Sequence, residues 1–324
     1  MNSMYTVTLP WGGTITYYAF LLVFGALVAG IWTIYRGPDR GVGIFRSIVF
    51  ALLAGILGVF LGRAVYCGVR YTQMFYDPRG EFVGFAPFID PAMGGLNVIG
   101  VILGVLLAAF FAGLGAKNGA LNLLDSASIP GVVLYIFARC VEPLSGMGFG
   151  DLVTDERFMR FPFALENSFG DFSLAVCWIE AALACLVLLV MIVVSFTAKK
   201  SGTLAGVGLA LLCVTQILPE SLRLDDVLFL FIFARVSQMG YAVILAGVLI
   251  AALIRCGRRG MKAGAIVLEI IILLLGVGVC VGAEFALDKT NWPDLYVYIG
   301  MGAALFIMGV MTVRRLLKGD RAVG

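Results

Sequence analysis

The residues best able to do chemistry in this sequence are arginines and carboxylates that stand where long apolar segments begin or end. Arg139 and Glu142 follow one segment, Glu180 lies just inside another, and Glu220 and Arg223 follow a third. Guanidinium is always charged and pairs with phosphate oxygens in a bidentate manner, so the arginines favour a site for an anionic headgroup. The alternative is that they pair with the carboxylates and hold helix ends together. The residues alone leave both interpretations open.

The composition removes several other chemistries. The chain contains no histidine, which excludes histidine metal ligation and histidine acid–base catalysis. Its seven cysteines are scattered and show no metal or redox spacing, so we interpret them as small core residues. We therefore expect no metal and no other cofactor, and nothing in the sequence indicates a nucleic-acid partner.

The elements that must position these residues are membrane spans. The chain is 61% hydrophobic and 13% charged, against roughly 45–50% and 25% in soluble domains. Its apolar runs approach the ~20 residues that cross a bilayer as a helix. The sequence predicts an all-α, polytopic transmembrane bundle with about nine spans and almost nothing outside the bilayer. The predicted spans are 17–35, 47–66, 94–113, 120–138, 172–195, 202–218, 236–253, 263–282 and 295–313.

The distribution of charge between alternate loops predicts the orientation. One set of loops holds 14 of the 23 basic residues and only Asp39, Asp125 and Asp320 as acids. Because basic loops face the cytoplasm, we expect the N-terminus outside and the C-terminus inside. The arginines and carboxylates named above then lie at the outer side. Ionisable residues in or beside spans cost about 2.5–3.5 kcal/mol each on insertion scales and are functional candidates by default.

Glycine patterns have two interpretations. The three Gly-x-x-x-Gly motifs that begin at Gly58, Gly100 and Gly202 match the packing motif of membrane helices, and we interpret them as packing surfaces. Another group, at the start of the third span, is a candidate binding element. It consists of Gly94, Gly95 and Asn97, whose backbone N–H groups could meet a ligand at a helix N-terminus.

Several segments, taken in order, resemble the prolipoprotein diacylglyceryl transferase family. The similarity covers about residues 1–255 and depends on the order and spacing of short motifs. The matching segments are ITYYAFLLVFGALVAG with Tyr18, GVFLGRAVY with Arg63 and Tyr66, GGLNVIGVILGV, FARCVEPLSGMGFG with Arg139, WIEAAL with Glu180, the Glu-x-x-Arg of Glu220 and Arg223, and SQMGYAVILAG with Gln238.

The resemblance implies a specific reaction. Such enzymes transfer the diacylglyceryl group of phosphatidylglycerol to the lipobox cysteine of a prolipoprotein, at the outer face of the bacterial cytoplasmic membrane. The implied partners are phosphatidylglycerol, prolipoprotein signal peptides and membrane lipids. Arg139 and Arg223 would clamp the phosphate, Glu220 would orient one of them, and Glu142 is our candidate for the base that takes the thiol proton. The implied substrate-binding residues are Tyr18, Arg63, Tyr66, Gly94, Gly95, Asn97, Glu180 and Gln238.

The chain also departs from the family pattern. The family histidine has no counterpart, and Glu142 and Cys177 stand where the family has asparagine and glutamine. The alternative is therefore a non-catalytic lipid- or partner-binding membrane protein on the same scaffold. A small-solute transporter is a third hypothesis, but it would require ionisable groups near the bilayer midplane.

We expect two domains, a seven-helix transferase-like core at 1–259 and an appended two-helix hairpin with a basic tail at 260–324.

Overall fold

Long apolar helices make up most of the chain. The computed structural model describes residues 6–8, 14–90, 95–166, 170–224, 228 and 235–321. Within these residues, eight helices are long and apolar enough to cross a membrane, and a ninth apolar helix is shorter. The helices are α1 Tyr17–Arg36, α2 Ile44–Val69, α3 Tyr71–Phe75, α4 Ala86–Ile89, α5 Val98–Ala112, α6 Gly119–Val141, α7 Val176–Ser195, α8 Thr203–Ser221, α9 Val236–Gly257, α10 Ala263–Lys289 and α11 Asp294–Arg321. The predicted all-α polytopic bundle is confirmed.

The short helix among the nine is α5, which begins later than the sequence predicts. The side chain of Asn97 accepts a hydrogen bond from the backbone N–H of Ile99 at 2.9 Å and so caps the helix. The predicted start at residue 94 was therefore too early, and α5 has 15 residues.

The fifth predicted span also begins too early, because its first four residues form a strand. Three strands make a small antiparallel sheet in the order β3-β5-β4, with β3 Phe149–Leu152, β4 Ala164–Glu166 and β5 Phe172–Ala175. A second antiparallel pair, β1 Thr6–Thr8 and β2 Thr14–Thr16, precedes α1. The connection between α6 and α7 therefore has secondary structure of its own, which the sequence did not predict.

Two of the Gly-x-x-x-Gly motifs face each other between α2 and α5. A Cβ at Gly104 would lie 2.5 Å from the backbone nitrogen of Gly58, and one at Gly100 would lie 2.7 Å from the Cα of Gly62. The two backbones approach this closely only because neither helix carries a side chain at the crossing. The packing interpretation of these motifs is confirmed.

At the far end of the bundle from Arg139, carboxylates of neighbouring helices bind the start of α8. The buried side chain of Asp125 accepts the backbone N–H groups of Gly202 at 2.7 Å and Ala205 at 2.8 Å. The side chain of Asp320, near the end of α11, accepts the N–H of Lys200 at 2.7 Å. The two contacts of Asp125 satisfy donors that every helix N-terminus leaves open, and the contact of Asp320 holds the residues just before α8.

The α10–α11 hairpin packs against α8 and α9. Met301, Leu305 and Met308 of α11 join one apolar core with Tyr241 and Leu245 of α9. Within the hairpin, the buried Glu269 pairs with Arg315, so this mid-helix carboxylate faces a helix interface.

Candidate functional site

Two arginines and two glutamates from separate segments meet at one end of the bundle. Arg223 donates to Glu142 Oε1 at 2.6 Å and to Glu180 Oε2 at 3.1 Å. Arg139 donates from Nη1 to Glu142 Oε2 at 2.8 Å, and its Nε lies 3.1 Å from Glu180 Oε2. Each arginine therefore contacts both carboxylates. We call these four residues the arginine–glutamate cluster.

Local structure brings the cluster together from four places in the chain. Arg139 lies in the last turn of α6. Glu142, three residues later, begins the 3₁₀ turn Glu142–Ser145, and its side chain lies beside that of Arg139. Glu180 lies in the first turns of α7, and Arg223 follows α8 by two residues. The sequence predicted that these residues share one end of the bundle, but not which carboxylates pair with which arginine.

The cluster is shielded from solvent, which strengthens its electrostatics. Glu180 is 0% exposed, Arg223 5% and Glu142 7%. Charges taken out of water attract one another more strongly, but each must be compensated by a partner. The four formal charges cancel, and Glu180 Oε1 is a buried oxygen without a hydrogen-bond partner among the described residues.

Behind Arg139 lies a buried set of hydrogen bonds that the sequence did not reveal. Arg139 Nε donates to the Tyr135 hydroxyl at 3.0 Å, and that hydroxyl donates to Gln216 Oε1 at 3.0 Å. Tyr135 and Tyr241 approach each other at 3.3 Å through their hydroxyls. The one signal in the sequence is that Tyr135 precedes Arg139 by four residues, which puts both on one helix face.

Gly148 brings the loop after α6 against the start of α7. Its φ of 92° lies in the left-handed region, and a Cβ there would lie 2.6 Å from the Cβ of Cys177 and 3.5 Å from the Cγ of Glu142. Its carbonyl accepts the backbone N–H of Cys177 at 3.0 Å. Cys177 itself is buried. The interpretation of all seven cysteines as core residues was wrong, because Cys140 and Cys185 are exposed on their helices.

Arg63 of α2 binds backbone carbonyls of the connection before α5. Its guanidinium donates to four carbonyl oxygens at 2.7–3.1 Å, those of Pro87, Phe88, Asp90 and Gly95. These bonds hold the connection before α5 against α2. The proposed contact between Arg63 and substrate stays a prediction.

Tyr66 lies beside Arg63, and its ring is 5.5 Å from the Arg63 guanidinium and 5.2 Å from that of Arg70. Both arginines can interact with the face of this ring. Tyr66 is buried against Met74 and Phe75, so most of its surface contacts protein.

The turn before α5 was predicted to offer backbone N–H groups to a ligand. Asn97 caps α5 with its side chain, and its own N–H donates to the carbonyl of Gly62 at 3.0 Å. The carbonyl of Gly95 accepts from Arg63, whereas Gly94 lies outside the described residues. Ligand binding by this turn stays a prediction.

Tyr18 and Glu220 both lie near the cluster. Tyr18 is within electrostatic range of Glu142, Arg139 and Arg223, and its contact with a headgroup stays a prediction. Glu220 is buried, and its backbone carbonyl accepts from Arg235. Whether Glu220 orients an arginine stays a prediction.

Gln238 is also buried at this end of the bundle. Its amide donates to Ser221 Oγ at 2.9 Å and to Glu284 Oε1 at 2.7 Å. Gln238 therefore links α9 to the end of α8 and to the hairpin.

The apolar bundle and its buried ionic cluster define a class, a multi-pass membrane protein with a charged site at one end of its helices. Comparison with known families identifies the group more narrowly. The family model for prolipoprotein diacylglyceryl transferase matches residues 6–256, and the chain belongs to that family.

A curated relative supports this assignment at lower coverage. The phosphatidylglycerol–prolipoprotein diacylglyceryl transferase 2 of Clostridium perfringens (strain 13 / Type A) is 27% identical over 149 residues. The match covers 45% of this chain and 54% of the relative, so the chain spans about half the length of that protein.

Proposed function

We propose that this protein transfers the diacylglyceryl group of phosphatidylglycerol to the lipobox cysteine of prolipoproteins. The observation that carries the proposal is the convergence of Arg139 and Arg223, from different segments, on one buried site in a chain of this family. In the reaction, the cysteine sulfur attacks the glycerol carbon that bears the phosphate. The carbon–oxygen bond breaks, and glycerol phosphate leaves with the electron pair. The arginines stabilise the charge that collects on the phosphate.

The charge of the arginine–glutamate cluster suggests how the thiol proton is removed. With two guanidinium groups and two carboxylates the cluster is neutral, so a bound phosphodiester brings an uncompensated negative charge. If Glu142 takes the thiol proton, it loses its charge and its ion pairs with the arginines weaken. The arginines can then pair with the leaving phosphate, which gains its second negative charge in the same step. We propose Glu142 as this base, with Glu180, whose Oε1 is without a partner among the described residues, as the competing acceptor.

The test is transfer of radiolabelled diacylglyceryl from phosphatidylglycerol to a lipobox peptide by the purified protein. We expect transfer by the wild type and a large loss in Glu142→Gln, which keeps an acceptor oxygen but cannot take the proton. If Glu180→Gln is the inactive variant and Glu142→Gln is active, the roles are exchanged. A wild type that binds phosphatidylglycerol through the arginines without transfer supports the alternative, a lipid-binding protein on the same scaffold.

We propose that the arginine–glutamate cluster faces the outside of a bacterial cytoplasmic membrane. The loops that are rich in basic residues support this orientation, because such loops face the cytoplasm. The contacts of Asp125 and Asp320 with the residues before α8 lie among these loops, at the end of the bundle opposite the cluster. In a variant without native cysteines, we expect Glu156→Cys to react with an impermeant thiol reagent on intact cells and Lys262→Cys to be protected. Both positions are exposed. Labelling at 262 alone would reverse the orientation.

We further propose that residues 1–259 form the transferase core and 260–324 an appended hairpin. The family match ends at residue 256, close to the turn between α9 and α10. We expect a chain that ends at 259 to insert into the membrane, with a lower melting temperature because α8 and α9 lose the apolar face of α11. Immediate degradation of the shortened chain would make the hairpin part of the core fold.

A further inference from the structure

Glu284 of α10 is a carboxylate outside the family match that reaches the end of α8. Its Oε1 accepts the hydroxyl of Ser221 and the amide of Gln238, the latter at 2.7 Å. Gln238 also lies 2.9 Å from Ser221 Oγ and 3.2 Å from the carbonyl of Ile217. One oxygen of the hairpin thus joins α8 and α9 at the end of the bundle that holds the arginine–glutamate cluster.

The end of α8 is bound from a second side by Arg235. Its guanidinium donates to the backbone carbonyls of Glu220, of Ser221 at 3.1 Å and of Arg223 at 2.8 Å. A cation at this position also favours the negative end of the helix dipole. Ser221 is therefore fixed through its carbonyl by Arg235 and through its side chain by Glu284.

Arg223 follows Ser221 by two residues, and its guanidinium reaches Glu142 and Glu180 across the bundle. A shift of the α8 end would move this guanidinium relative to its partners. A misplacement of about 1 Å at a reacting site can cost on the order of 10²-fold in rate.

We propose that Glu284 is a positioning residue, which sets the place of Arg223 through Ser221 and Gln238. The hairpin is then a functional part of the site, although the family match ends before it. The kinetic test of this role rests on the proposed transfer reaction. A second test, which measures phosphatidylglycerol binding, does not depend on that reaction.

The test compares Glu284→Ala with Glu284→Gln in the full-length protein. Alanine removes the acceptor, and we expect kcat to fall about 10-fold while the KM for phosphatidylglycerol changes less. Glutamine keeps an acceptor oxygen and should restore most of the activity. The matched control is Asp294→Asn, an exposed acid at the same end of the hairpin, which should behave as the wild type.

Two further measurements separate positioning from simple stabilisation. Glu284 and Gln238 act on one element, so Glu284→Ala combined with Gln238→Ala should cost little more than the larger single effect. If Glu284→Ala does not fold, Ser221→Ala removes one of the two contacts and should give a smaller loss of kcat. Equal kcat in folded wild type and Glu284→Ala would overturn the proposal while leaving the transferase function intact.

If the wild type shows no transfer, the transferase proposal fails. The positioning role of Glu284 is then tested by measuring lipid binding. Binding of phosphatidylglycerol in nanodiscs should then weaken in Glu284→Ala and recover in Glu284→Gln. Binding that depends on Arg223 but is unchanged in Glu284→Ala would overturn the positioning role on its own.

Discussion

Replacing Arg139 with lysine is expected to reduce transfer almost as much as replacing it with alanine, by roughly 10²–10³-fold. The guanidinium uses separate nitrogens, Nη1 toward Glu142 and Nε toward Glu180 and the Tyr135 hydroxyl. A lysine ammonium is a point charge and cannot reproduce this fork or offer it to a phosphate. The same argument applies to Arg223, which contacts both carboxylates through Nη1 and Nη2.

The measurement is the transfer assay, together with phosphatidylglycerol binding, for the lysine and alanine variants. Arg157→Lys is the matched control, because Arg157 is 86% exposed and lies 3.7 Å from Asp155. Such a surface pair contributes little, so the control should keep wild-type activity. If neither transfer nor binding depends on Arg139 or Arg223, the cluster is a structural set of ion pairs, and both site hypotheses fail together.

The location of the cluster followed from residue type, whereas its pairing required the fold. An ionisable residue at the end of an apolar segment is conspicuous in sequence, and this identified Arg139, Glu142, Glu180 and Arg223. Their contacts depend on how far a 3₁₀ turn carries Glu142 back toward α6 and where α8 ends. The spacing of these residues in the sequence determines neither the geometry of the turn nor the end of α8. The sequence therefore could not distinguish arginines that pair with carboxylates from arginines that bind phosphate.

Arg63 shows the same limit in another form. Its position near the end of α2 predicts a costly buried charge, and the residue is indeed buried. Its donors meet carbonyls of a connection 24–32 residues further along the chain, and sequence periodicity carries no information about such contacts. The missed strand at residues 172–175 has a related cause, because a short apolar run beside a helix reads equally well as either.

Replacing Gly100 with alanine is expected to lower the free energy of unfolding by about 3 kcal/mol or more. The new Cβ would meet the backbone of α2, 2.6 Å from the carbonyl carbon of Leu61 and 2.7 Å from the Cα of Gly62. Because the obstacle is backbone, no rotamer change can relieve it, and the two helices must separate. Separation would also disturb the hydrogen bond from Asn97 N to Gly62 O.

Gly55→Ala provides the matched control for this effect. Gly55 is also a helical glycine and lies in α2, but a Cβ there would meet nothing within 4 Å. Alanine is favoured over glycine in a helix by up to about 1 kcal/mol, so this variant should match or slightly exceed the wild-type melting temperature. Thermal unfolding in detergent, followed by size-exclusion chromatography, compares the two variants directly. Equal melting temperatures for both would mean that α2 and α5 do not meet at Gly100. If Gly100→Ala alone unfolds early, the close crossing of α2 and α5 is required for the stability of the bundle that carries the site.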